Sequence, residues 1–222
     1  MEQFRLTAAL SRRRMKEVPR LSHSSDQPGT SAILENPKEV VMVAYLLVLL
    51  GVLTRYLVAG HLPLLNFTAV TGSLLYFGAR RPWREMLAPI GLLMVSDFAL
   101  TTYVYHYPFH WQGYITTWAW YAAVIVLGQI LLHAKSDFTR GAFAAILGPT
   151  SFFIVSNYSV WVSGFNGYPH TLAGLITCYV AAIPFYRNDL AATSIVLAVA
   201  LGAPALVRKL RAPLVTNTPG AA

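Results

Sequence analysis

From residue 39 onward, long apolar runs alternate with short polar or aromatic connections. The runs fall at 39–60, 67–79, 84–106, 113–134, 141–163, 171–186 and 189–207. They are rich in Leu, Val, Ile, Ala and Phe, as helices surrounded by protein or lipid must be. A perpendicular helix needs ~20 residues to cross the hydrocarbon of a bilayer. Five runs reach about that length, whereas 67–79 and 171–186 fall short.

Basic residues orient these runs, because cytoplasmic connections collect Lys and Arg. The first 38 residues carry Arg5, Arg12, Arg13, Arg14, Lys16, Arg20 and Lys38. The turn RRPWRE adds Arg80, Arg81 and Arg84, AKSDFTR adds Lys135 and Arg140, and VRKLR adds Arg208, Lys209 and Arg211. The connections HLPLLNFT, YHYPFHWQG and FNGYPHT carry none and are expected to face outward. Seven plain crossings would leave the basic C-terminal stretch outside. The pattern therefore predicts an all-α membrane protein of six transmembrane helices, with seven as the alternative, and both termini cytoplasmic. In the six-span scheme residues 171–186 enter from outside and return, Pro184 marks the break, and Arg187 and Asp189 stay on the outer side. Residues 1–38 are expected to be a basic, disordered cytoplasmic tail, 39–210 the membrane domain and 211–222 a flexible end.

Composition agrees with a bilayer setting. The 222 residues are 55% hydrophobic and 12% charged, with mean hydropathy +0.50. The net charge of +8 sits beside apolar runs, where it fixes topology, so no nucleic-acid partner is expected. A single cysteine, Cys178, excludes an internal disulfide and a cysteine-cluster metal site. HExxH, a Gly-rich phosphate loop and GxSxG are all absent, so no enzyme, resident metal or cofactor is expected.

Candidate chemistry lies among polar residues placed at membrane depth. Asp97 interrupts LLMVSDFAL, where a charge is costly and needs a partner or a task. Helical spacing aligns Asp97, Thr101 and Tyr105 in a stripe climbing outward. Arg55 stands at matching depth in the first run, either as an ion-pair partner of Asp97 or as a ligand contact. Asn157 and Trp161 are four residues apart on one face, with Trp161 a candidate pocket wall. Asn66, His106 and Tyr168 on the outward connections complete the candidate ligand-binding set. Asp97 would neutralise a cationic part of a solute, and Trp161 would stack on an apolar part. His106 beside Asp97 is the acid–base pair that an enzymatic alternative would use.

NFT at 66–68, LLMVSD ending at Asp97, YH at 105–106, SN with the later Trp161, and YPHTLAGLITCYVAAIPFYRN at 168–188 together resemble a family of bacterial integral membrane proteins without established function. The resemblance spans about residues 43–203. More distantly, the organisation is similar to the substrate-binding S components of energy-coupling-factor transporters. That likeness implies an S-component-like bundle in the bacterial inner membrane, capturing a vitamin-like solute or a transition-metal ion from outside. It also implies a shared membrane coupling protein and a pair of ATPases as partners. S components commonly carry an AxxxA-type pattern on the first helix, where VVMVAYLLVLLGVLTRYL offers only Ala44 and Gly51. The function expected is a solute-binding transport component with a pocket in the outer half of the bundle, the alternative being a structural or assembly subunit of a membrane complex.

Overall fold

The computed structural model describes residues 37–61, 67–133 and 137–211, all within one compact unit, Glu35–Ala222. The described residues form six α-helices and no strand: α1 (Pro37–His61), α2 (Val70–Arg80), α3 (Leu87–Ala99), α4 (Ile115–Leu132), α5 (Phe138–Val162) and α6 (Leu172–Arg211). A π-helical turn, Leu100–Val104, extends α3. Four segments are long and apolar enough to cross a membrane: Pro37–Ala59, Trp83–Val104, Trp111–Leu132 and Phe138–Val162. The chain is an all-helical membrane protein. Met42, Leu46, Leu49, Leu53 and Leu57 of α1 are exposed, as a lipid-facing stripe requires. The expected tail, apart from Pro37 and Lys38, and Asn66 lie outside the described residues.

The short helix α2 is the core. Its eleven residues rise only ~16 Å, yet every residue from Val70 to Ala79 is buried. Glycine permits this enclosure. A Cβ on Gly78 would lie 1.9 Å from the Ile125 carbonyl oxygen, and one on Gly128 would lie 2.2 Å from that of Leu75. Thus α2 and α4 touch backbone to backbone, an approach that only small residues allow. Gly148 of α5 admits Thr71 and Leu75, Gly51 of α1 admits Val70, and Gly72 faces Val196 of α6.

A helix start in an apolar setting needs donors satisfied by other means than water. The N-terminal residue before α2 supplies no side-chain cap of its own. Instead Thr54 of α1 accepts from the Ala69 backbone N–H at 3.0 Å, while the Ser73 hydroxyl donates to the Leu47 carbonyl at 2.6 Å. At the other end, Tyr45 donates to Glu85 at 2.9 Å, and Arg81 bonds the same carboxylate. His133, the residue that ends α4, lies with its ring nitrogen 3.0 Å from the Ala79 carbonyl. The described basic residues of 80–85 and 137–140 thereby lie at one end of the bundle, and the connections 105–114 and 163–171 at the other.

The structure corrects the reading of the last two runs. Residues 171–186 do not turn back at Pro184: they join 189–207 in α6, forty residues and about 60 Å long. Gly174, Cys178, Asp189, Ala192, Thr193, Leu197 and Ala200 are buried at helical spacing through this stretch. That stripe packs on α2 and α5 above and below Pro184, which itself is exposed and removes a single ladder donor. Asp189 consequently lies inside the bundle and not beyond it.

Replacing Gly128 with alanine is expected to lower stability by about 3 kcal/mol or more, because backbone rather than a flexible side chain blocks the new methyl. Gly91→Ala, with nothing within 4 Å of the added atom, serves as control. Equal thermal unfolding temperatures for the two variants in detergent would refute the backbone contact.

Candidate functional site

Polar groups inside the bundle form two separate clusters. The first surrounds Asp97, which is 1% exposed. Arg55 of α1 bonds its Oδ1, and Arg55 also donates to Ser96 Oγ at 3.3 Å. Trp118 of α4 donates its indole N–H to Oδ2 at 2.9 Å. Both carboxylate oxygens are therefore occupied by side chains from neighbouring helices. Thr101 donates back to the Asp97 carbonyl at 2.7 Å and meets the Tyr114 hydroxyl. Rings of Phe109, Tyr114 and Trp118 stack over this side of the cluster.

The expected stripe ends in the π-helical turn, where Tyr105 is 49% exposed yet remains an electrostatic neighbour of Arg55. His106 adopts a positive φ of 57° in the exposed connection, away from the buried carboxylate. Asp97, Arg55 and Thr101 are brought together, with Tyr105 at the exposed edge near Arg55, whereas His106 lies in the connection beyond. Asp97 lines neither of the two hollows on the α5–α6 seam.

The second cluster lines a cleft of about 240 Å³ along the seam between α5 and α6. Asn157, Asn166 and Tyr168 border it toward the Ser163–Thr171 connection, and Asp189 borders it at depth. Phe152, Phe153, Phe185 and Tyr186 supply aromatic walls. Val160 and Pro149 are separated by eleven helical steps, so the cleft runs ~16 Å along α5. Tyr186 is held by Thr150 through hydroxyls 2.9 Å apart, and its ring lies 4.9 Å from that of Phe153. Asn157 donates its amide N–H to the Phe153 carbonyl at 2.7 Å, leaving its carbonyl oxygen uncommitted by that bond.

Asp189 is the deepest polar residue of the cleft and is 6% exposed. Thr71, in the first turn of α2, donates to its Oδ1 at 2.9 Å. Thr193 donates to the same oxygen at 3.4 Å. Among the described residues no basic side chain pairs with it. The amino end of α2, the positive end of its dipole, lies beside this carboxylate.

Helix α4 divides what the linear reading combined. Trp118 points to Asp97, but Trp120, two residues on and therefore on the opposite helical face, donates to Ser151 of α5 at 3.0 Å. Asn157 consequently belongs to the α5–α6 cleft and not to the Asp97 cluster. Trp161 is not among the residues lining this cleft: its indole N–H donates to the Pro169 carbonyl at 2.9 Å, and its ring packs against His170, pinning the connection. Tyr168 does line the cleft. Asp189, Thr71, Tyr186 and Trp118 are additions. Asp189 carried the same signal as Asp97, an acid inside an apolar run, but the assumed return at Pro184 placed it outside.

The family model described as a family of unknown function, DUF6580, matches residues 35–215, which takes in every helix above. The chain belongs to the DUF6580 family. No curated protein and no solved structure matches it, so the likeness to S components has no such relative behind it. In this DUF6580 protein the two clusters differ in chemistry. One is an internally saturated ion pair, and the other is a carboxylate held by hydroxyls at the end of a cleft.

Breaking a buried pair leaves an uncompensated charge and costs 3–5 kcal/mol, roughly, in comparable cases. Arg55→Met and Asp97→Leu are each expected to reduce folded yield and thermal stability by that order. The double substitution is expected to recover most of the loss, as measured by fluorescence-detected size exclusion and thermal unfolding. A double variant no better than the worse single one would exclude a purely structural pair.

Proposed function

We propose that this membrane protein is the solute-binding component of a transport process, with the α5–α6 cleft as its binding site. The observation carrying the proposal is the cleft itself: an aromatic-walled groove with Asn157 along its length and a buried carboxylate at its end. Polar residues retained at membrane depth mark solute pathways when their own helices do not consume them. Asp97 is consumed by Arg55 and Trp118, and Asp189 is not neutralised by any described cation. A volume of 240 Å³ lies below the roughly 300–1,000 Å³ of drug-sized pockets, as suits a small metabolite.

In this reading the six helices make six crossings of a bacterial inner membrane, with α2 sheltered as a short central one. Both termini are then cytoplasmic, the basic end of the bundle faces inward, and the cleft opens outward. No catalytic step is assigned. A second hollow of about 520 Å³, lined by Phe138, Ala145, Ile146, Leu197 and Leu201, follows the same seam beyond the level of Pro149 and Asp189. Two hollows on either side of one carboxylate suit passage along the seam better than a purely structural subunit. A shared coupling protein with ATPases would supply the energy, as the resemblance to S components implies.

Accessibility tests the proposal directly. With Cys178 replaced by serine, Asn157→Cys is expected to react with a membrane-impermeant thiol reagent added to the outer face of spheroplasts. A cysteine at Val95, an exposed apolar position on α3, is expected to stay unmodified. Protection of residue 157 from outside reagent, with labelling only after solubilisation, would refute an outward-open cleft.

A further inference from the structure

Every other feature of the cleft bears on what Asp189 meets there. Its Oδ1 receives the hydroxyls of Thr71 and Thr193, which themselves are 3% and 0% exposed. That geometry leaves Oδ2 to the cleft, since Asp189 is one of the lining residues. A carboxylate removed from water and given no internal cation gains most from a positively charged ligand. A neutral solute would lack the charge to offset its desolvation. The walls add a second constraint, because aromatic faces attract cations through their ring quadrupoles. Phe152, Phe153, Phe185 and Tyr186 line the same cleft as the acid and provide four such rings.

A bare metal ion is a poorer match for these walls. Hard cations require six or more oxygen ligands to replace their water, and softer ones require nitrogen or sulfur donors. The cleft offers one carboxylate, and its other polar groups, among them Ser156, Asn157, Asn166 and Cys178, are spread along its length; no group of three or more His, Cys, Asp or Glu side chains converges among the described residues. An ammonium group bonded to carbon needs no such shell.

Resting on the cleft's role as the binding site, we infer that its ligand is a small organic cation, with an ammonium group beside Asp189 and an apolar body against Phe153, Phe185 and Tyr186. Asn157, above the acid, then bonds a polar group at the other end of the ligand. The Thr71 contact ties this head-group site to the buried core helix, so the acid is fixed in place before a ligand arrives.

The test uses the full chain in nanodiscs and two probes of matched shape, choline and its uncharged carbon counterpart 3,3-dimethyl-1-butanol. Choline and tetramethylammonium are expected to raise the unfolding temperature of the wild-type protein, and the neutral alcohol to leave it unchanged. Asp189→Asn, which can still accept the Thr71 hydroxyl, is expected to weaken choline binding at least tenfold by calorimetry. Phe153→Ala, which leaves the charge intact, is expected to weaken it roughly 2- to 30-fold. That variant decides the matter should Asp189→Asn fail to fold. Equal stabilisation by choline and the alcohol would overturn the cation assignment while leaving the cleft as a binding site. The assignment is equally overturned if no ammonium probe binds the wild type, or if choline affinity is unchanged in the folded variants. Failure of the site itself shows separately, as loss of outside labelling at Asn157→Cys.

Discussion

The backbone contact between α2 and α4 is the constraint on which the rest of the bundle depends. Lipid tails are as apolar as leucine side chains, so helices in a bilayer gain little from burying apolar surface against each other. They associate instead through close packing and internal hydrogen bonds. Gly78 and Gly128 remove the two side chains that would hold these helices apart. Close contact then lets an eleven-residue helix disappear into the protein, with Leu74, Leu75, Tyr76 and Phe77 almost wholly enclosed. Its exposed backbone donor at the entry is taken by Thr54, a residue of another helix.

Because α2 is central, it also determines where the polar groups can be used. Its first turn carries Thr71 to Asp189 on one side, and the pairing of α1 with α3 on its other flank carries Arg55 to Asp97. The two acids pay the same desolvation cost and meet it differently. Asp97 meets it with a guanidinium and an indole, which fill both oxygens and join three helices. Asp189 has only hydroxyl donors and a helix end, all on its inner side. A saturated pair joins helices, whereas a carboxylate open to a cleft can discriminate among ligands.

Much of this arrangement was legible in the linear chain, and the failures have a common origin. An acid and an arginine at equal depth in two apolar runs each need a partner where water is scarce, so the Arg55–Asp97 pair was one of two readings the linear chain offered, a ligand contact being the other. The membership of Asn157 did not follow, since depth locates a residue along the bundle axis but not around it. Helix α4 stands between, with Trp118 and Trp120 facing opposite ways. Trp161 was read from its spacing as a wall, but the Pro169 carbonyl eight residues on claimed its only donor. The π-helical turn after Leu100 likewise went unseen, because no periodicity announces an extra residue in a turn.

The sequence by itself determined that the chain is helical, that it lives in a bilayer, and which end of the bundle holds the basic turns. These are consequences of hydropathy and charge, which act residue by residue. Tertiary structure alone decided that the runs on either side of Pro184 form one helix, that a sub-length segment is the core, and that Asp189 borders the α5–α6 cleft. Those outcomes depend on which surfaces meet around the bundle axis. That is set by where glycines let backbones touch, a property of pairs of helices that no single segment contains.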